Sequence, residues 1–270
     1  LEKFSIFRLR NWVKAVLGII VMVLLVIFAE KWYASQSCKK VSIVFNDEQK
    51  QLPLLAQQDI RNLLSESGKK PLEGRPFDQI DLNFLENRVE SSPLVKDCQI
   101  SRNLRGWLEV RVETHRPVAR LVQPDLPDNG LDKYLNEEGR FMPLSERYTA
   151  RVLLISGPYF DRKNHLQAPQ DTALLNLVRA IDQDSLWKAQ IEWVEVDQKG
   201  EITMWPQVGD TPIEFGSASS RDIKFQKINL FFRNILPLRG WNSFSRVSVK
   251  YKNQVVCTRA TADSLAIATP

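Results

Sequence analysis

The sequence predicts an α+β architecture: one transmembrane helix, a β-α-α-β-β module after it, and then a β-rich domain carrying two helices. Three observations lead there. A charge-free run from Ala15 to Ala29 is bracketed by aromatic and basic residues. Beyond it, apolar residues recur at strand spacing, then twice at helix spacing, then at strand spacing again. Past a loop rich in Pro and Asp, short alternating runs predominate.

Residues 15–29 read AVLGIIVMVLLVIFA. That is short for a span, which takes about 20 residues. The flanks supply the rest, with Trp12 on one side and Trp32-Tyr33 on the other placing amphipathic rings at the two headgroup layers. Lys14, Glu30 and Lys31 snorkel outward. The transmembrane helix is therefore expected at residues 15–33. Residues 1–14 form a cytoplasmic tail, because Lys3, Arg8, Arg10 and Lys14 face only Glu2 and positive charge resists translocation. A cleaved secretory signal would end in a small-residue pair, whereas Glu30, Lys31, Trp32 and Tyr33 follow Ala29.

The module that follows is placed at residues 38–123. Val41, Ile43 and Phe45 mark an opening strand. Ile60, Leu63 and Leu64 form one helix face, stopped at Gly68. Leu82, Leu85 and Val89 form a second, closed by Ser91-Ser92-Pro93. A strand from Val95 to Arg102 turns at Asn103–Gly106 into another, where Leu108, Val110 and Val112 alternate with Glu109, Arg111 and Glu113. Pro117 interrupts, and Val118–Val122 resume the extended path. The loop Pro124–Asn129 sets the boundary.

The β-rich domain is placed at 130–260. Its strands are expected at Tyr134–Asn136, Arg151–Ile155, Ile191–Val196, Glu201–Trp205, Ile213–Phe215, Val247–Tyr251 and Gln254–Arg259. One helix covers Asp171–Asp182, with Leu174, Leu177, Val178 and Ile181 inward. The other covers Asp222–Leu236, with Ile228, Phe231, Phe232 and Ile235 inward, Ser219 capping Asp222 and Pro237 as the stop. Residues 261–270, small and polar, are expected to be a disordered tail.

Composition narrows the function. The chain is 43% hydrophobic and 26% charged, the proportions of a folded protein. Its net charge of +5 is scattered, with no nucleic-acid footprint. The three cysteines (Cys38, Cys98, Cys257) and two histidines (His115, His165) sit at none of the short paired spacings of a zinc site, so no metal or other cofactor is expected. Nucleophile elbow, metalloprotease and phosphate-loop motifs are all missing from the sequence. His115 beside an alternating strand and His165 in a polar loop read as structural or solvated. Acid pairs such as Glu137/Glu138 and Asp182/Asp184 read as solvated surface, and none is singled out as a glycosidase pair. The expectation is a binding protein, not an enzyme.

Several stretches, in their order, carry a likeness to a known family. SPLVKDCQISRNLRGWLEVRVETHRPVARL (92–121) holds an E-x-x-P-[IV]-A-R step as Glu113, Arg116, Pro117, Val118, Ala119 and Arg120, with one extra residue before Arg-Pro. YLNEEGRFMPLS (134–145) holds an acid-Gly turn and a proline at Glu138, Gly139 and Pro143. RVLLISG (151–157) follows, and FQKINLFFRNILPLRGWNSFSRVSVKYKNQVVCTR (225–259) closes the pattern. Together they resemble the FtsQ/DivIB family of bitopic bacterial cell-division proteins, whose first extracytoplasmic module is a POTRA domain. The chain departs from the best-known members in its very short cytoplasmic tail and in Trp187, Trp193 and Trp205.

The resemblance implies a single-pass inner-membrane scaffold at the division septum, its N-terminus cytoplasmic and its bulk periplasmic, recruiting FtsB and FtsL. It further implies that the last strands of the β domain accept a β-strand from FtsB, the small coiled-coil partner that also pairs with FtsL. Tyr251, Gln254, Val255, Val256, Cys257, Thr258 and Arg259 are then the partner-binding residues. Tyr251, Lys252 and Asn253 form the turn. Val255, Cys257 and Arg259 face one way, and Gln254, Val256 and Thr258 the other. Two other readings stand beside this one: a POTRA-bearing accessory of translocation or outer-membrane assembly, and a membrane-anchored envelope enzyme.

Overall fold

The computed structural model describes residues 14, 16–28, 36–46, 53–65, 71–123, 132–161, 163–240 and 243–260. Residues 16–28 form helix α1, on which Leu17, Met22, Leu25 and Phe28 are exposed. No described helix is long and apolar enough to cross a membrane. The remainder of the expected span and tail, and the expected disordered end at 261–270, lie outside the described residues. The chain divides into two units, Leu1–Thr114 and His115–Pro270.

In the first unit, strand β1 (Lys40–Phe45) buries Val41 and Ile43 by simple alternation. Helix α2 (Gln57–Leu64) starts where the Asp59 carboxylate accepts the Ala56 N–H at 2.8 Å, and it buries Ile60 and Leu64. Helix α3 (Leu82–Glu90) is capped by Asp81, which accepts the Phe84 N–H at 3.0 Å, and it buries Leu85 and Val89. Strands β2 (Val95–Arg102) and β3 (Trp107–Thr114) complete the expected β-α-α-β-β order. The sheet order is β1-β3-β2, with β1 parallel and β2 antiparallel to β3. Ile60, Leu85 and Val89 meet Val41, Ile100, Leu108 and Val110 in one core, while Val44, Glu109 and Arg111 stay on the other face. This is a two-layer module.

The second unit begins earlier than the Pro124–Asn129 loop suggests. Strand β4 (Pro117–Leu121) pairs antiparallel with β5 (Lys133–Asn136) and parallel with β7 (Leu153–Ser156), so it lies inside the second sheet and does not finish the first module. Pro117 is tolerated because the register shifts between Pro117 and Ala119, where no regular ladder donor is needed. Strand β6 (Phe141–Pro143), absent from the predicted set, forms a hairpin with β5 through Gly139, whose φ is 84°. A Cβ at Gly139 would lie 2.9 Å from Leu175, so this turn needs glycine twice over.

After β7 come α4 (Pro169–Gln183), α5 (Ser185–Gln190), β8 (Ile191–Val196), β9 (Ile202–Pro206), β10 (Ile213–Gly216), α6 (Arg221–Leu230), α7 (Leu236–Arg239), β11 (Phe244–Ser248) and β12 (Val256–Arg259). The nine strands run in the order β12-β11-β10-β9-β8-β7-β4-β5-β6. Leu174, Leu177, Val178 and Ile181 of α4 pack on Ala119, Ile155, Val194 and Met204 in the main core.

The domain holds more helix than the two expected. Helix α5 is capped by Asp184, which accepts the Leu186 and Trp187 N–H groups. The expected helix Asp222–Leu236 starts at Ser220, in the left-handed region at φ 52°, while Ser219 bonds Ser217 and caps nothing. Pro237 does not stop it. A π turn over Phe231–Ile235 separates α6 from α7, and Pro237 sits in the first turn of α7, where a missing N–H leaves no bond unmade.

Candidate functional site

The expected binding residues lie on the last hairpin, and the structure shifts their boundaries. The first strand of that hairpin is Phe244–Ser248 in place of Val247–Tyr251, and the second is Val256–Arg259 in place of Gln254–Arg259. Tyr251 lies in the connecting turn, as expected, with Asn253 at φ 59°; Gln254 and Val255 precede the strand.

A small apolar cluster holds the hairpin down. Phe231, Leu236 and Val247 are buried, with Phe244, Val255 and Cys257 packed against them. The expected alternation survives from Gln254 to Thr258: Val255 and Cys257 turn inward, Gln254, Val256 and Thr258 are exposed, Val256 by 42%, and only Arg259 departs by being exposed. Tyr251 is also exposed, its carbonyl accepting from Lys227 at 2.5 Å. Burial pushes the Cys257 thiol above its ordinary pKa, so at neutral pH it is a small apolar contact and not a nucleophile.

The direction of each backbone group follows from the ladder. Val247 and Val249 donate their N–H groups to Pro212 and Glu214 on the β10 side, at 3.1 and 3.0 Å. Strand groups alternate, so Arg246 and Ser248 bond toward β12, where their partners are Thr258 and Val256. Ala260 donates to Ser243 at 3.0 Å in the same sense. Cys257 and Arg259 therefore point their N–H groups away from β11, at a sheet edge where no strand pairs with them among the described residues.

The other edges are blunted. On β2, the outward N–H groups of Cys98 and Ile100 are taken by Glu90 and Glu86 of α3, at 3.1 and 2.6 Å. On β1, the Ile43 and Val41 carbonyls accept from Gln57 and Arg61 of α2 at 3.4 Å each. On β6, the Phe141 N–H is bonded to the Asn164 carbonyl at 3.1 Å, and Pro143 has no N–H to offer. Covering edges in this way prevents indiscriminate strand pairing. Sequence reasoning missed these blocking residues. The one available signal was the i, i+4 spacing of Glu86 and Glu90 on the helix next to an edge strand.

The groups weighed as catalytic are placed by folding bonds. His115 is buried, its Nδ1 3.0 Å from Asn136, and His165 lies 2.9 Å from the Glu138 carbonyl. Asp182, expected on a solvated surface, is buried and pairs with Arg116 and Lys188 at 2.7 and 2.6 Å. Trp187 stacks on Phe225 at 4.4 Å, and Trp193 stacks on Trp205 at 5.8 Å while donating to Ser156. Among the described residues no group of three or more His, Cys, Asp or Glu is placed to hold a metal ion.

Two family models match the chain. One described as FtsQ/DivIB, C-terminal related, matches residues 116–258, and one described as a POTRA-like domain matches residues 36–113. No curated protein sequence matches it.

Proposed function

Since the chain belongs to the FtsQ/DivIB family, we propose that it is a bitopic division scaffold that recruits the FtsB/FtsL pair to the septum by accepting a strand of FtsB along β12. The observation that supports this most is the pair of outward N–H groups at Cys257 and Arg259, with which no strand pairs among the described residues, while the Arg259 carbonyl at the strand's end accepts from the Ser245 hydroxyl at 3.4 Å. An added strand gains its affinity from main-chain hydrogen bonds and its selectivity from neighbouring side chains. Exposed Tyr251 and Val256 provide apolar contacts beside that row. In this reading residues 15–33 span the inner membrane, the N-terminus is cytoplasmic and the rest is periplasmic. The exposed apolar surface of α1 is consistent with a lipid environment. The POTRA-like match followed by the FtsQ/DivIB-related match supports division over translocation, and in this reading the chain acts as a scaffold.

The test is Cys257→Pro. Proline there removes an outward N–H and leaves the β11 ladder intact, so folding should persist, read as an unchanged far-ultraviolet spectrum. FtsB co-purification should fall at least about tenfold, the loss of roughly one hydrogen bond and its geometry. Full capture by a folded Cys257→Pro chain would reject the proposal.

A further inference from the structure

The pairing in the first unit determines which end of its sheet the chain enters. Strand β1 starts at Lys40, four residues after Gln36, and pairs in parallel with β3, with Lys40 opposite Trp107 at one end and Phe45 opposite Val112 at the other. The turn 103–106 that leads into β3 is therefore at the same end as the chain's entry. Lys39 donates its N–H to the Gly106 carbonyl at 2.9 Å, which ties the two together. Gln36 is three residues beyond residue 33, at most about 10 Å of extended chain.

The turn carries Leu104, which is 89% exposed. One exposed leucine is ordinary on a soluble surface. Here, though, the apex is held in place. Asn103 accepts the N–H groups of Arg105 and Trp107, both at 3.0 Å. Around it stand Lys39, Lys40 and Arg105, all exposed and none in an ion pair among the described residues. Lys40 lies 5.1 Å and Arg105 5.7 Å from the centre of the Trp107 ring. An apolar tip, an amphipathic ring and three uncompensated cations are the ingredients of a surface that sits at a headgroup layer.

We propose that this end of the first unit docks on anionic lipid headgroups, with Leu104 entering the interface and Lys39, Lys40 and Arg105 binding phosphates. The inference rests on the membrane span proposed above: Lys39, bonded to the Gly106 carbonyl, follows residue 33 by six residues, so the chain tethers the turn within about 20 Å of the bilayer. Its consequence is orientation of the first unit: β3 runs from the docked turn away from the membrane.

The full chain is reconstituted into vesicles of phosphatidylcholine alone and of an equal mixture with phosphatidylglycerol, and amide exchange is followed over residues 102–108. Exchange should be several-fold slower in the anionic vesicles, and Arg105→Gln or Lys39→Gln should each reduce that protection about fivefold. Leu104→Ser should reduce it in both lipids. Equal exchange in the two lipids, with the chain floating stably with the vesicles after an alkaline wash, overturns the docking and leaves the span standing. A chain that does not float overturns both.

Discussion

Asp171 is nearly sealed from water, with its side chain 3% exposed. Burial alone would raise its pKa, but donation from Lys163, Tyr159 and the Ala168 N–H outweighs that and holds it below the ordinary 3.8. The Tyr159 hydroxyl is pushed up to about 12 by its own burial and by this carboxylate. A lowered carboxylate pKa contributes stability that is complete above the ordinary value and is lost as pH falls from there through the lower value of the folded state. Asp171→Asn should therefore lower stability at neutral pH by about 1–3 kcal/mol. The deficit should narrow below about pH 4, as read from urea midpoints at the two pH values. A pH-independent deficit would mean that the charge is not what matters.

The same scale separates two neighbours on β12. Val256 bonds toward β11 and Cys257 away from it. Val256→Pro should thus damage the hairpin itself, whereas Cys257→Pro should spare it. Thermal melting of both variants distinguishes them, and equal losses would contradict the assigned directions. The alternation of side chains on this strand was legible in the sequence at Val255, Val256 and Cys257. Which backbone groups face out was not, because that depends on the parallel pairing of β11 with β10, a partner about thirty residues away in the chain.

Elements with strong local signals were read correctly: both helices of the first unit, and strands β2, β3 and β8. Elements decided by distant partners were not. Strand β11 lies three residues before the expected Val247–Tyr251 because Phe244–Ser248, irregular between Phe244 and Arg246, does not alternate in sequence, and Phe244 is held by the buried Phe231 cluster. Helix α5 escaped notice because six residues show too little periodicity, and Asp184 capping starts it. Pro237 does not end the helix, because the preceding π turn lets the chain carry it in a new first turn. At this scale the edge-covering carboxylates make a prediction of their own. Glu86→Ala with Glu90→Ala frees the Cys98 and Ile100 N–H groups on β2, so the variant should self-associate on sedimentation. A strictly monomeric double variant would show that these carboxylates are not what blunts the edge.

For the whole molecule, the misplaced boundary is the most instructive error. The Pro124–Asn129 loop has the composition of a linker, yet β4 on its N-terminal side is a central strand flanked by β5 and β7. A loop inside a domain and a loop between domains look alike in sequence; only the pairing tells them apart. A fragment of residues 115–260 should fold, and one starting at 124 should not, since removing β4 opens the sheet between β5 and β7. Cooperative melting of both fragments alike would contradict this. The order of the family motifs, in contrast, was legible along the whole length, and the FtsQ/DivIB-related match begins at residue 116, within the second unit.

The most direct test of strand addition at β12 is amide exchange of the wild-type chain with and without FtsB, resolved at single residues of the last hairpin. The N–H groups of Cys257 and Arg259 should slow by at least about tenfold on binding, the exchange equivalent of one new hydrogen bond each, while those of Val256 and Thr258, already bonded to β11, change little. Protection by FtsB elsewhere, with Cys257 and Arg259 exchanging as fast as in the free chain, would contradict the account.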